Sequence, residues 1–254
     1  MRFASLGSGS RGNALLVEVG GTKLLVDCGF SLRSAVSRLA RLSIAPEEIT
    51  GILVTHEHSD HLAGVGRFAS RFGVPVYLTH GTQIAAEGCS GFQAECVSID
   101  SHSSLSIQNI QVIPFTVPHD AREPVQYLFD DGVSRLGVLT DCGTITPHIV
   151  DMLDGCDALV LECNHDRKML ADSAYPAMLK RRIAGGFGHL DNEQAASLLR
   201  TINSGRLKHI VAAHLSEQNN DPGLVKRVVA EALGCEERWV AVASQEEGFD
   251  WREL

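Results

Sequence analysis

One heptapeptide limits what this chain can fold into more than any other part of it. Thr55-His56-Glu57-His58-Ser59-Asp60-His61 gathers three of the chain's eleven histidines and two carboxylates into seven consecutive residues. Residues 49–54, directly before it, read as a buried β-strand, and a rigid strand fixes the loop that leaves its end. Just past Val54 the chain is still extended. Residues two apart then point the same way, so His56 and His58 can share one metal ion. Asp60 and His61 fall where a helix over residues 62–72 begins, and the turn aims them at a neighbouring point. The spacing suggests two ions side by side. Imidazole and carboxylate ligands suit zinc, and also iron or manganese. The motif is not the helical His-Glu-x-x-His of metalloproteases, because its histidines are spaced differently.

Such a site needs several strand ends brought to one place, and the rest of the chain offers them. Ala14–Val19 and Thr22–Val26 are apolar and β-branched, and Gly20-Gly21 between them predicts a hairpin. Helical spacing covers residues 34–42, and Pro46-Glu47-Glu48 opens a short helix. After the motif come a strand at 75–78, a helix at 81–87, strand-like alternation over 96–117, and a hairpin of 127–130 and 135–140 around Asp131-Gly132. A buried strand at Ala158–Glu162 follows, then a helix over 192–202 capped by Asp191 or Asn192. His209–Ala213 is a strand, 223–233 a helix, and 240–243 the last strand. No repeat, linker or composition break divides the chain. One domain over residues 1–254 is expected, with an α/β (α+β) fold of mixed sheets covered by helices.

Composition agrees: 44% hydrophobic and 21% charged residues support a sizeable core. The apolar runs are too short to cross a bilayer, and residues 1–7 lack the apolar stretch of a signal peptide, so no membrane association and a cytoplasmic location are expected. The seven cysteines form no Cys-x-x-Cys pair and read as free thiols. A net charge of −9 argues against a wholly basic nucleic-acid binder. It leaves room for a local basic patch, and bound divalent cations would add positive charge.

The Thr55–His61 heptapeptide resembles the His-x-His-x-Asp-His signature of the metallo-β-lactamase superfamily. The resemblance implies an αββα sandwich, two mixed β-sheets flanked by helices, with a dinuclear metal site at one edge. Later family motifs appear in order: Val117-Pro118-His119-Asp120, Leu139-Thr140-Asp141-Cys142-Gly143 and Val211-Ala212-Ala213-His214-Leu215-Ser216. By that correspondence His56, His58 and His119 hold one ion, Asp60, His61 and His214 hold the other, and Asp141 bridges them. A water shared by two such ions ionises near neutral pH and becomes a nucleophile, which implies hydrolysis, with Asp60 essential to it.

Several features favour a phosphodiester. His214-Leu215-Ser216-Glu217-Gln218-Asn219-Asn220 resembles the ending of ribonuclease Z-like phosphodiesterases without its Arg-Tyr pair, and Ser216 and Asn219 offer hydrogen bonds to a phosphate. His165, in Cys163-Asn164-His165-Asp166, and His189, in Gly188-His189-Leu190, are candidates to protonate a leaving oxygen or steady a phosphoryl group. The Gly/Ser loop at residues 8–13 lets backbone N–H groups approach a phosphate, with Arg11 available to pair with it. Lys180-Arg181-Arg182 and Arg167-Lys168 read first as solvated helix faces and second as a basic rim. Together with residues 5–13 and Tyr175-Pro176, these segments resemble the YycJ-type (WalJ-type) branch. That resemblance implies a 5′-to-3′ DNA exonuclease, DNA before RNA, without the inserted β-CASP domain of ribonuclease J relatives. Two alternatives remain: a glyoxalase II-like thioester or lactone hydrolase on the same metals, and a non-catalytic metal-binding regulatory module. Oligomeric state is open.

Overall fold

The computed structural model describes residues 1–89 and 92–254. The chain builds one sheet, then a second, and finally returns to the first. Strands β1 (Arg2–Gly7), β2 (Ala14–Val19) and β3 (Thr22–Val26) form an antiparallel meander. The β2–β3 hairpin turns at Gly20 and Gly21, whose φ values of 54° and 90° glycine adopts without steric cost. Helix α1 (Leu32–Arg41) crosses to β4 (Gly51–Leu53). Helices α2 (Ser59–Leu62) and α3 (Val65–Phe72) lead to β5 (Val76–Thr79), and α4 (His80–Glu87) to β6 (Cys96–Ile99). From β3 through β6 the pairing is parallel.

The second sheet repeats this plan. Strands β7 (Leu105–Ile107), β8 (Ile110–Thr116), β9 (Val125–Asp130) and β10 (Arg135–Leu139) are antiparallel neighbours. Helix α5 (Pro147–Leu153) leads to β11 (Ala158–Glu162). Helices α6 (Arg167–Asp172), α7 (Ala177–Ile183) and α8 (Asn192–Thr201) lead to β12 (His209–Ala213), and α9 (Pro222–Leu233) to β13 (Val240–Val242). The pairing from β10 to β13 is parallel. Strand β14 (Phe249–Glu253) then pairs with β1 and completes the first sheet, in the order β14-β1-β2-β3-β4-β5-β6.

Alternation along the strands explains the layering. Leu15, Val17, Leu24, Tyr127, Phe129 and Val160 point into a core between the sheets. Their neighbours Leu16 and Leu25 point outward beneath α1 and α3, and Leu128, Leu159 and Leu161 outward beneath α5, α8 and α9. Strands apolar on both faces are what a sheet covered on both sides requires. The result is the expected αββα sandwich. Among the described residues no helix is long and apolar enough to cross a membrane. The seven cysteines are free thiols, four of them buried.

Two expectations need correction. The helix expected over residues 62–72 is broken at Gly64, because the backbone there is pressed against the loop that follows β3. A Cβ on Gly64 would lie 1.9 Å from the Phe30 carbonyl oxygen, and the Gly64 N–H donates to the Cys28 carbonyl. The strand near residue 240 is not the last. Strand β14 carries Asp250, Arg252 and Glu253 and owes its conformation to the open edge of β1 rather than to its own pattern.

Candidate metal centre

The functional side chains lie at the ends of strands from both sheets. The heptapeptide leaves the end of β4, Asp27 follows β3, and His119 follows β8. Asp141 follows β10, Glu162 ends β11, and His214 follows β12. Open α/β sheets gather ligands at the carboxyl ends of parallel strands for this reason. The two sheets are fastened where the heptapeptide starts. The buried Tyr127 hydroxyl donates to the Val54 carbonyl at 2.7 Å, and the Val125 N–H donates to the Thr55 carbonyl at 3.0 Å. Asp27, Asp141 and His214 have φ values of 59°, 53° and 54°, so each turns its side chain from a left-handed backbone. Asp and His are among the few residues that tolerate this region, and such strain concentrates at functional sites.

The side chains form interlocking groups whose donor atoms lie within 4.8 Å of one another: His56, His58 and His119; Asp60, His61 and His214; and His56, His61 and Asp141. The third group sets Asp141 between the other two. His58 Nδ1 is 3.2 Å from His119 Nε2, Asp60 Oδ2 is 3.3 Å from His214 Nε2 and 3.4 Å from His61 Nε2, and Asp141 Oδ2 is 3.0 Å from His61 Nε2. Tetrahedral bonds of about 2.0–2.1 Å require donors about 3.3 Å apart. His56 Nε2 and Asp141 Oδ2 are buried with no hydrogen-bond partner, an arrangement that is costly unless something else satisfies them. These donors fit a divalent metal cage.

A second layer orients the donors. His61 Nδ1 is 2.7 Å from Asp27 Oδ2, while Asp27 also accepts the Thr55 N–H and hydroxyl at 2.8 Å each. His119 Nδ1 faces the Gly188 carbonyl at 3.0 Å, leaving Nε2 for a metal. Glu162 is fully buried. Its Oε2 accepts the Cys142 and Leu190 N–H groups, and its Oε1 lies 2.8 Å from His189 Nδ1 and 3.2 Å from His214 Nδ1. Replacing Asp27 with Ala is expected to weaken metal affinity about 10- to 100-fold, the usual cost of losing a carboxylate behind a ligating histidine. Competition with a chelator checks this, and unchanged affinity would show that Asp27 only supports the fold.

The family model described as Beta-lactamase superfamily domain matches residues 22–212. The chain belongs to the β-lactamase superfamily. It is 36% identical over 239 residues to Exodeoxyribonuclease YycJ of Bacillus anthracis, an alignment covering 92% of this chain and 89% of that protein. It is 34% identical over 247 residues to Exodeoxyribonuclease WalJ of Streptococcus pneumoniae serotype 2 (strain D39 / NCTC 7466), covering 95% of this chain and 91% of that one. This places it in the superfamily's YycJ/WalJ-type branch. The crystal structure of the metallo-β-lactamase fold protein YhfI from Bacillus subtilis superposes with a TM-score of 0.78 at 17% identity, covering 100% of this chain and 99% of that one, and shares the fold.

Electrostatics in this superfamily site follow from burial set against opposite charge. Burial alone would push the Asp60 and Asp141 carboxyls up. Hydrogen bonds with His214 and His61 hold Asp60, and the His214 and His61 charges hold Asp141, well below the usual carboxylate range. Burial likewise opposes ionisation of Glu162, but His189 and His214 bring it down to about 2. His214 is lifted against burial to about 10 by Asp141, Asp60 and Glu162. His56 is pushed well below the ordinary value, by burial first and by the His61 charge second, so it presents a neutral ring. Carboxylates ionised in advance and histidines that must shed protons make metal uptake compete with protonation.

Not every residue singled out in the sequence meets this cage. Arg11 does not stand free to pair with a phosphate: its guanidinium bonds Glu217 at 2.8 and 3.0 Å and Glu246 at 2.6 Å. The Gly/Ser loop turns inward instead. Asn13 Nδ2 lies 3.3 Å from Asp60 Oδ2 and 3.2 Å from His61 Nε2, and Ser8 Oγ accepts the His214 N–H at 2.8 Å. Ser216 and Asn219 are buried and engaged with each other, since Asn219 donates to Ser216 Oγ through its N–H and its Nδ2. His189 lies against the cage, whereas His165 is 1% exposed with Nδ1 facing the Asn164 side chain, which suits support better than contact with substrate. Asp27, Asn13 and Glu162 escaped sequence reasoning. The one available signal was Glu162, a charged residue ending an otherwise apolar buried strand.

Proposed function

We propose that this chain is a dinuclear-metal nuclease that shortens DNA from the 5′ end, with zinc as the leading metal, and that residues 1–254 act as one domain. His56, His58 and His119 would hold one ion, Asp60, His61 and His214 the other, with Asp141 shared. Divalent metal bound there supplies a water acidic enough to attack phosphorus and positive charge to offset that of the phosphoryl oxygens.

One observation favours a phosphodiester over a thioester: His189 is held by buried Glu162 beside the cage, with its ring 20% exposed. Burial would lower the His189 pKa, but Glu162 raises it above the ordinary value. A ring with Nδ1 committed to Glu162 has Nε2 left to pass a proton to a departing sugar oxygen. An alkoxide leaving group needs that proton, whereas a thiolate does not. The names of the YycJ and WalJ relatives support DNA as the polymer. The test is digestion of 5′- and 3′-labelled DNA and RNA by the metal-loaded chain, beside a thioester. Release of the 5′ label from DNA, abolished by chelator, is expected; thioester turnover without phosphodiester turnover would overturn the reading.

A further inference from the structure

The turn between α7 and His189 is fixed along its backbone yet carries an uncovered aromatic ring. Its carbonyls are taken in succession. Thr144 Oγ1 donates to Gly186, the Asp120 N–H donates to Phe187, and His119 Nδ1 faces Gly188. The His189 N–H donates to Ile183, closing the turn onto the end of α7. Gly143, two residues after Asp141, admits the turn so closely that a Cβ would lie 2.5 Å from Gly186 and Gly188 backbone atoms. Within this clamped segment the Phe187 side chain is 66% exposed. An apolar ring left in water on a rigid support, two residues from a histidine of the site, is preorganised for a flat apolar partner.

Arg182, at the end of the same helix, supplies the matching charge. Its Nε donates to Asp120 Oδ2 at 2.6 Å, and Asp120 Oδ1 is 3.6 Å from His119 Nε2 and 3.7 Å from His58 Nε2. The guanidinium therefore stands at the lip of the cage. Its side chain is 58% exposed, and among the described residues only Nε is engaged. Its two terminal nitrogens face no recorded partner and are suited to the oxygens of a phosphate.

We infer that the Arg182–Phe187 segment is a nucleotide-holding rim for single-stranded DNA, with Phe187 stacking on a base beside the scissile phosphate and Arg182 pairing with a backbone phosphate. This rests on the nuclease reading and deepens it. Base–aromatic stacking tolerates any sequence, because every base has a flat face, and a cation close by follows the backbone. The rim therefore holds an end nucleotide without selecting its sequence.

The experiment titrates the metal-loaded chain with a short single-stranded DNA, phosphorothioate-linked against cleavage and carrying 2-aminopurine at its 5′-terminal positions. Binding should quench the fluorescence. In Phe187→Ala the quench should vanish and affinity fall about 5- to 150-fold, and Phe187→Trp should restore both. The loss from Phe187→Ala and the loss from an abasic nucleotide at the stacked position should not add, since each removes one partner of the same contact. Arg182→Ala should flatten the dependence of log affinity on log salt by about 0.7, and Phe187→Ala should not. Wild-type quenching and affinity in Phe187→Ala, with labelled DNA still digested, would overturn the rim and leave the nuclease standing. If the wild type neither digests nor binds DNA, both fall.

Discussion

Asp60→Ala removes hydrolysis while leaving the sandwich folded: a fall on the order of 10³-fold or more is expected, because water away from a metal ionises near 15.7 rather than about 7. The Asp60 carboxylate approaches both His61 and His214, at 3.4 and 3.3 Å, so its loss removes the anionic donor from that group of three. Its side chain is 21% exposed and belongs to the four-residue helix α2, which makes truncation mild for the core. His61→Ala should be as damaging to turnover, but it also removes the cationic partner of Asp27 and Asp141, both buried, and so costs fold stability as well. Asp60 is thus the cleaner test. Initial rates on end-labelled DNA, read beside a thermal melt, decide it, and a near-normal rate would remove the second group of ligands from the mechanism.

His189→Ala is expected to lower DNA cleavage about 10²- to 10⁴-fold, the range for loss of a positioned proton donor. Metal content should fall far less, because His189 stands outside the seven side chains proposed to hold the ions. The two roles separate by leaving group. A sugar oxygen departs badly without a proton, whereas p-nitrophenolate departs readily, so the variant should lose far less on bis-p-nitrophenyl phosphate than on DNA. Equal losses on both substrates, or metal loss matching rate loss, would make His189 a ligand or a structural residue. Glu162 is the partner in this arrangement, with its Oε1 2.8 Å from His189 Nδ1 and its Oε2 held by two backbone N–H groups.

The cluster of cage side chains was legible in the sequence because each leaves a strand end and the heptapeptide anchors their order. The hairpin at Gly20-Gly21 and the Asp191 cap of α8 were legible because local chemistry determines them: two positive φ values, and a carboxylate accepting the Gln194 N–H. What escaped depends on distant partners. Asp27 is one residue past a predicted strand, and only folding brings it to His61, 34 positions away. Arg11 looked available for phosphate until Glu217 and Glu246, more than two hundred positions further on, came to its side. Asn219 carried the right donors but spends its N–H and its Nδ2 on Ser216 Oγ. Phe187 gave no signal at all, because exposure of a single aromatic becomes visible only once the fold has buried the others.

The central claim is that seven side chains from four strand ends cage two ions. Anomalous diffraction from crystals grown with zinc tests it most directly. Two peaks are predicted, one among His56, His58 and His119 and the other among Asp60, His61 and His214, with Asp141 reaching both. An empty cage, or metal bound only elsewhere on the chain, would contradict the account.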